Sequence, residues 1–232
     1  MKLVAIIFAR GGSKGIKNKN ILKFKKTTLL GNSIEQAMKT KNIDKIFVSS
    51  DNKKILREAR KYKTVDTILR PKYLAKDNSA EIYAWRHAIL YINNYFKIFP
   101  QFIVSIPTTC PLRRISDIEK CINKAIKKKL DYVFTVIKSM RNPFFNMILK
   151  KEKKIKVLGD FLKQSQSKIY RRQDAPNCYD LTTACYVFNP SYVLQNMDLL
   201  KGKVDFVEIP RERGIDIDEP FDYKMVELMV KK

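Results

Sequence analysis

The chain has 232 residues, of which 45% are hydrophobic and 30% charged, and a formal net charge of +24. That balance suits a folded globular core and excludes a disordered chain, while the apolar runs are strand-length and too short for a membrane span. The charge invites a nucleic-acid reading, but the 47 basic residues are 35 lysines and 12 arginines spread along the chain. No zinc finger, RNP-type aromatic motif or helix-turn-helix accompanies them, so neither nucleic acid nor membrane is expected as a partner.

Leu3–Ala9 is an unbroken apolar run ended by Gly11-Gly12, which predicts a short buried strand feeding a tight loop. The loop to Asn20 carries Arg10, Lys14, Lys17 and Lys19 among three glycines. Glycine lets backbone come close to a ligand, and loop N–H groups beside fixed cations make a concavity for an anion such as a polyphosphate. The spacing is neither G-x-x-x-x-G-K-[ST] nor G-x-G-x-x-G. A basic surface turn after an edge strand is the plain alternative from this segment alone.

Asn32-x-x-Glu35 has capping-box spacing and predicts a helix to Lys39. Ile46–Ser50 reads as a strand, Lys53–Tyr62 as a helix, and Thr64–Leu69 as a strand running into Arg70-Pro71. Asn78-x-x-Glu81 opens a long helix through Tyr95, with Ile82, Trp85, Ile89 and Ile92 on one face. Phe102–Ile106 is a fourth strand, stopping at the polar loop Pro107–Arg113, where open α/β sheets bind ligands. Ser116-x-x-Glu119 caps the next helix, and Tyr132–Val136 is a fifth strand.

The stretch 138–180 is more charged and less periodic. It reads as an element inserted within a single domain of 1–232, either covering the site or making a partner interface. Ala184–Phe188 and Val204–Glu208 are strands flanking a short helix capped by Asn189-Pro190, and the last helix begins near Pro220. Alternating strands and helices predict an α/β protein with a mainly parallel sheet.

Cys110, Cys121, Cys178 and Cys185 lack C-x-x-C spacing and read as reduced thiols. The N-terminus enters the first strand without a signal-peptide cleavage site, so a cytoplasmic location is expected. His87 is the single histidine, which argues against a zinc site, and no nucleophile elbow supports a triad. Asp216 and Asp218 are two apart in an extended stretch and project to the same side. Such a pair suits a hard cation, Mg2+, shared with substrate phosphates; in isolation it also reads as a solvated pair before a helix. With the cationic loop, the pair supplies what nucleotidyl transfer needs.

Five motifs occur in order: Ala9-Arg-Gly-Gly-Ser-Lys-Gly-Ile-x-x-Lys-Asn20, Arg70-Pro71, Pro-Leu-Arg113, Arg171-Arg-Gln173 and Ile215-Asp-Ile-Asp218. Together they resemble the CMP-sialic acid synthetases (acylneuraminate cytidylyltransferases), over nearly the whole chain. The resemblance implies a three-layer α/β/α Rossmann-like nucleotide-diphospho-sugar transferase fold with a small inserted dimerisation or lid element, a homodimer, and coupling of CTP to a 2-keto sugar acid. It implies that Arg10 neutralises the α-phosphate, that Gly11, Gly12, Ser13 and Lys14 cradle the β- and γ-phosphates, and that Ala9, Lys19 and Asn20 complete the nucleotide pocket. Arg70 would hold the cytidine end, Asp216 and Asp218 the Mg2+, and Arg171, Arg172 and Gln173 would lie near the sugar acid, where a guanidinium fork suits a carboxylate. Pro107 stands where many relatives have a base-reading Gln, so backbone groups would read the base there. Phe144-Phe145-Asn146 replaces a lysine, and Asp180-Leu-Thr-Thr183 replaces an Arg-x-Asn-Gly-like stretch, which makes Asn146 and Thr182 candidate sugar contacts. These departures resemble the branch acting on legionaminic-type acids, which carry fewer hydroxyls. A Kdo-type eight-carbon acid, or a basic binding protein that kept the fold without activity, are the alternatives.

Overall fold

Every residue of Leu3–Phe8 (β1) is apolar, as expected of a strand covered on both faces. The computed structural model describes residues 2–151, 154–161 and 171–231. After β1 come the short strands β2 (Lys23–Phe24) and β3 (Thr27–Thr28), α1 (Leu29–Lys39), β4 (Lys45–Ser50), α2 (Lys53–Ala59), β5 (Val65–Leu69) and α3 (Glu81–Phe96). β6 (Phe102–Ser105), α4 (Ile115–Lys128), β7 (Tyr132–Lys138), β8 (Ile148–Lys151), β9 (Lys154–Val157) and the single turn α5 (Leu158–Phe161) follow. The chain ends with β10 (Tyr179–Phe188), α6 (Pro190–Gln195), β11 (Val204–Glu208) and α7 (Pro220–Val230).

Seven strands form one sheet in the order β11-β7-β10-β6-β1-β4-β5. All neighbours pair parallel except β10, which is antiparallel to both β6 and β7. Side-chain alternation sends Leu3, Ala5 and Ile7 to one face, under Leu30 and Ile34 of α1, Ile55 and Leu56 of α2, and Ile118 and Ile122 of α4. Val4 and Ile6 face the other way, toward Ile82, Trp85, Ile89 and Ile92 of α3 and Val193 of α6. Trp85 stacks on Phe188 with ring centroids 4.4 Å apart. The result is the three-layer α/β/α architecture with a mainly parallel sheet. A third cluster docks Val226 of α7 and Ile217 of the stretch before it onto Phe24 and Leu29.

Three helix starts differ from the sequence pattern. α1 begins three residues before Asn32, because Thr28 Oγ1 accepts from Gly31 N at 3.0 Å; the Asn32 side chain donates instead to the Pro111 carbonyl. α3 begins at Glu81, since the chain makes a turn with Ser79 N on Lys76 O at 3.1 Å and leaves Asn78 outside the helix. α4 begins at Ile115, where Asp117 rather than Glu119 closes the first turn by accepting from Arg114 N at 2.9 Å. β10 starts five residues earlier than the apolar run indicates, because its first half pairs with β7 as Tyr179–Lys138 to Thr182–Thr135. A register shift follows between Thr182 and Tyr186, and the Thr135 hydroxyl fills it by accepting from Cys185 N at 3.1 Å. The β8–β9 hairpin projects between β7 and β10 as an arm outside the main sheet. Among the described residues no helix is long and apolar enough to cross a membrane.

Candidate active site

β1, β5 and β6 end along one edge of the sheet, and a cleft of about 640 Å³ opens there, the place where open parallel sheets carry ligands. Arg10, Lys14, Lys19 and Asn20 reach it from the loop after β1, and Arg70 and Asp77 from the segment after β5. Glu81 enters from α3, Thr108 and Thr109 from the loop after β6, Thr183 and Tyr186 from β10, and Asp218 from the stretch before α7.

The loop after β1 is held by one of its own side chains, Asn20, and by groups at the ends of β4 and β6. Ala9 N bonds Ser49 O at 3.0 Å, and Gly11 N donates to Asp51 Oδ1 at 2.8 Å. Asn20 is buried; its Nδ2 donates to the Arg10 carbonyl at 2.7 Å, and its Oδ1 accepts from the Thr108 hydroxyl. Lys19 is a tie across the cleft: Nζ donates to Ile217 O at 2.6 Å and to Asp218 Oδ1 at 2.9 Å. Gly15 packs so closely that a Cβ there would sit 2.1 Å from the Asp218 carbonyl oxygen. The outer cations Arg10 and Lys14 close on the Asp77 carboxylate at 2.9 and 2.8 Å, which holds that carboxyl below its ordinary value.

Arg70 is 6% exposed, and among the described residues its Nε and Nη2 have no hydrogen-bond partner. Burial lowers its pKa, while the Asp51 and Glu81 charges act the other way. Desolvation by the surrounding cleft walls raises Glu81, with Trp85 and Arg70 opposing, while the residue itself keeps access to solvent. Asp216 sits behind Thr109 and Thr183, whose hydroxyls are 3.2 Å apart. Burial raises its pKa and the Asp218 charge adds to that, against Thr109, Thr183 and Lys19. Its Oδ1 is buried with no hydrogen-bond partner among the described residues.

That orphaned oxygen, two residues from the exposed Asp218 carboxylate, fits a hard divalent cation. Among the described residues no cluster of three or more His, Cys, Asp or Glu could hold a metal by itself. Two carboxylates with an open remainder are what Mg2+ takes when substrate phosphates and waters supply the other ligands.

The cleft brings together eight of the residues singled out from sequence. Arg10, Ser13, Lys14, Lys19, Asn20, Arg70, Pro107 and Asp218 line it. Ala9 is fully buried beneath it, and Gly12 has open space around its Cα. Thr182 turns into the sheet, where its hydroxyl donates to Thr135 Oγ1 at 2.7 Å; Thr183 faces the cleft instead. Asn146 caps a turn of its own loop by accepting from Asn142 N at 2.7 Å, and Arg171 pairs with Asp174 at 2.8 Å, so neither lines the cleft. Gln173 is exposed, and the Arg172 side chain lies outside the described residues. Sequence reasoning missed Asp77, Glu81, Thr109 and Thr183. The only signal for Asp77 and Glu81 is their position just after Arg70-Pro71.

Residues 4–211 match the family profile described as "Cytidylyltransferase". The chain is 31% identical to "Post-translational flagellin modification protein B" of Campylobacter coli over 100% of its own length and 96% of that protein. It is also 31% identical to "CMP-N,N'-diacetyllegionaminic acid synthase" of Campylobacter jejuni, covering 99% of this chain and 95% of that one. Among solved structures, a CMP:2-keto-3-deoxy-manno-octonic acid synthetase complexed with CTP superposes with a TM-score of 0.70 at 14% identity, over 100% of this chain and 99% of the other. The chain belongs to the cytidylyltransferase family.

Proposed function

We propose that the protein transfers CMP from CTP to the anomeric hydroxyl of a nonulosonic acid of the legionaminic type, releasing pyrophosphate. One observation carries this reading: the loop cations Arg10, Lys14 and Lys19 and the Asp218 carboxylate face one another around a single cleft. Full-length identity of 31% to a CMP-N,N'-diacetyllegionaminic acid synthase supports the choice of acceptor. Arg10 and Lys14 offset the phosphate charge, Lys19 fixes Asp218 at the α-phosphate end, and Arg70 offers donors to the base. Mg2+ held by Asp216 and Asp218 would supply Lewis-acid charge at the α-phosphate. Thr109 and Thr183 hydroxyls orient Asp216 for that role.

The exposed apolar side chains Ile148, Leu149 and Ile155 of the arm support a homodimer closed through this hairpin. A cytoplasmic location suits both substrates and the reduced cysteines.

The experiment is pyrophosphate release from CTP and Mg2+ across legionaminic, N-acetylneuraminic, pseudaminic and Kdo-type acids. Release with the legionaminic acid alone is expected. Release only with the Kdo-type acid would move the assignment to eight-carbon acceptors, and absence of CTP binding by the folded protein would end the nucleotidyltransferase reading.

A further inference from the structure

Arg10 and Lys14, the outer cations of the loop, are already engaged. Arg10 Nη1 and Lys14 Nζ lie 2.9 and 2.8 Å from the two oxygens of one carboxylate, Asp77. Asp77 is 67 residues from Arg10 in sequence and arrives on the segment between β5 and α3. Paired anionic oxygens, each taking a separate cation, reproduce what two phosphate oxygens would present to the same side chains.

We propose that Asp77 is a positioning residue that takes the place of pyrophosphate beside Arg10 and Lys14, holding them before the polyphosphate binds and reclaiming them as the product leaves. This rests on the polyphosphate reading of the loop given above. The side chains concerned are open to solvent, 41% for Arg10, 77% for Lys14 and 50% for Asp77. Exposed pairs are weak and screened, so a ligand of higher charge can displace Asp77. The displaced carboxylate stays tethered beside its cations and competes for them at high local concentration. The same segment contributes Leu74, Ala75 and Ser79 to the cleft wall. Asp77 therefore draws this wall toward the phosphate loop when no polyanion is bound.

The test is calorimetric binding of inorganic pyrophosphate to the wild type, Asp77→Asn and Asp77→Glu. Removing the competing charge is expected to tighten binding about three- to tenfold in Asp77→Asn, the range two exposed pairs allow. Asp77→Glu is expected to restore the wild-type affinity. In turnover, Asp77→Asn should lower KM for CTP without raising kcat, because pyrophosphate leaves more slowly. A purely structural role would weaken binding instead, so unchanged or weaker pyrophosphate affinity in a folded Asp77→Asn overturns the proposal while leaving the cytidylyltransferase reading intact. If the folded wild type fails to bind pyrophosphate, the polyphosphate reading of the loop falls, and this proposal with it.

Discussion

Lys19 and Asp218 lie 199 residues apart in the chain and meet at 2.9 Å across the cleft. The same ammonium donates to the Ile217 carbonyl at 2.6 Å, so one side chain joins the first loop of the fold to the stretch before its last helix. The Lys19 side chain is only 12% exposed, whereas that of Asp218 is 72% exposed. The lysine is thus held as part of the structure, and the carboxylate stays available to a ligand.

Lys19→Met removes both contacts and leaves the Ile217 carbonyl without its donor. An expected loss of about 1–3 kcal/mol in unfolding free energy follows from the unpaired acceptor. Turnover should fall about ten- to a hundredfold, the range for losing a partner that orients a ligating carboxylate. Urea unfolding and initial-rate kinetics on the same preparation check both parts. A variant with wild-type stability would show that the tie contributes nothing to the fold.

Asp216 gives a prediction of opposite sign. Its folded pKa lies above the ordinary 3.8, chiefly through burial. The folded state therefore holds its proton more tightly than the unfolded chain. This acidic group adds stability at low pH, and that contribution is lost as pH rises from the unfolded value through the folded one. At neutral pH the ionised carboxylate is a load on the fold. Asp216→Asn is expected to raise the melting temperature at pH 7 without divalent cations. The gain should vanish well below pH 4, turnover should be lost, and Mg2+ should no longer shift the melting curve. Thermal melts across pH, with and without Mg2+, read all of this out, and a destabilised variant at pH 7 would contradict it.

Arg113 belongs to the same polar loop as Thr108 and Thr109, yet it works inward. It is 2% exposed and donates from Nε to Gln36 Oε1 at 2.8 Å, from Nη1 to Ala184 O at 2.9 Å and from Nη2 to Ser33 Oγ at 2.6 Å. Ser33 in turn donates to the Pro107 carbonyl at 3.1 Å, which fixes the floor of the cleft. A lysine keeps the charge but has no planar fork to satisfy three directions. Arg113→Lys should lose about 2–4 kcal/mol in urea unfolding, since buried acceptors are left unpaired. Retained stability would mean that the fork is dispensable.

The four cysteines separate by burial. Cys110, Cys121 and Cys185 are buried, Cys178 is half-buried, and burial pushes the Cys110 thiol up to about 12. Thiolate, not thiol, reacts with disulfide reagents. Titration at pH 8 with a chromogenic disulfide should therefore report one reactive thiol, Cys178, in the native protein and four in urea. Fast reaction of two or more thiols in the native state would contradict this burial pattern.

Much of this architecture is written locally. Runs such as Leu3–Phe8 and Phe102–Ser105 declare buried strands, and the Gly-rich cationic loop and the Asp216-x-Asp218 spacing declare themselves as chemistry. Helix starts are less legible, because Thr28 and Asp117 compete with Asn32 and Glu119 as partners for the first turn, and tertiary packing decides among them. Thr182 and Thr183 are indistinguishable in sequence. The pairing of Thr182 with Thr135 of β7 decides which hydroxyl enters the sheet, and strand alternation turns the next one to the cleft. Asp77 is hidden for another reason: it is one of 23 acidic residues, and its partners lie in a different segment.

Gly15 has a consequence for ligand thermodynamics. Its Cα rests against the backbone of Asp218 with no room for a methyl group. With the Lys19 tie drawing them together and this contact limiting their approach, the cationic loop and the carboxylate stretch are expected to move as one. A polyanion that pulls on the loop also repositions Asp218, and a cation that draws Asp218 inward also moves the loop. Reciprocity then requires each to alter the other's affinity by the same factor. Gly15→Ala, by forcing the two segments apart, should uncouple these binding events.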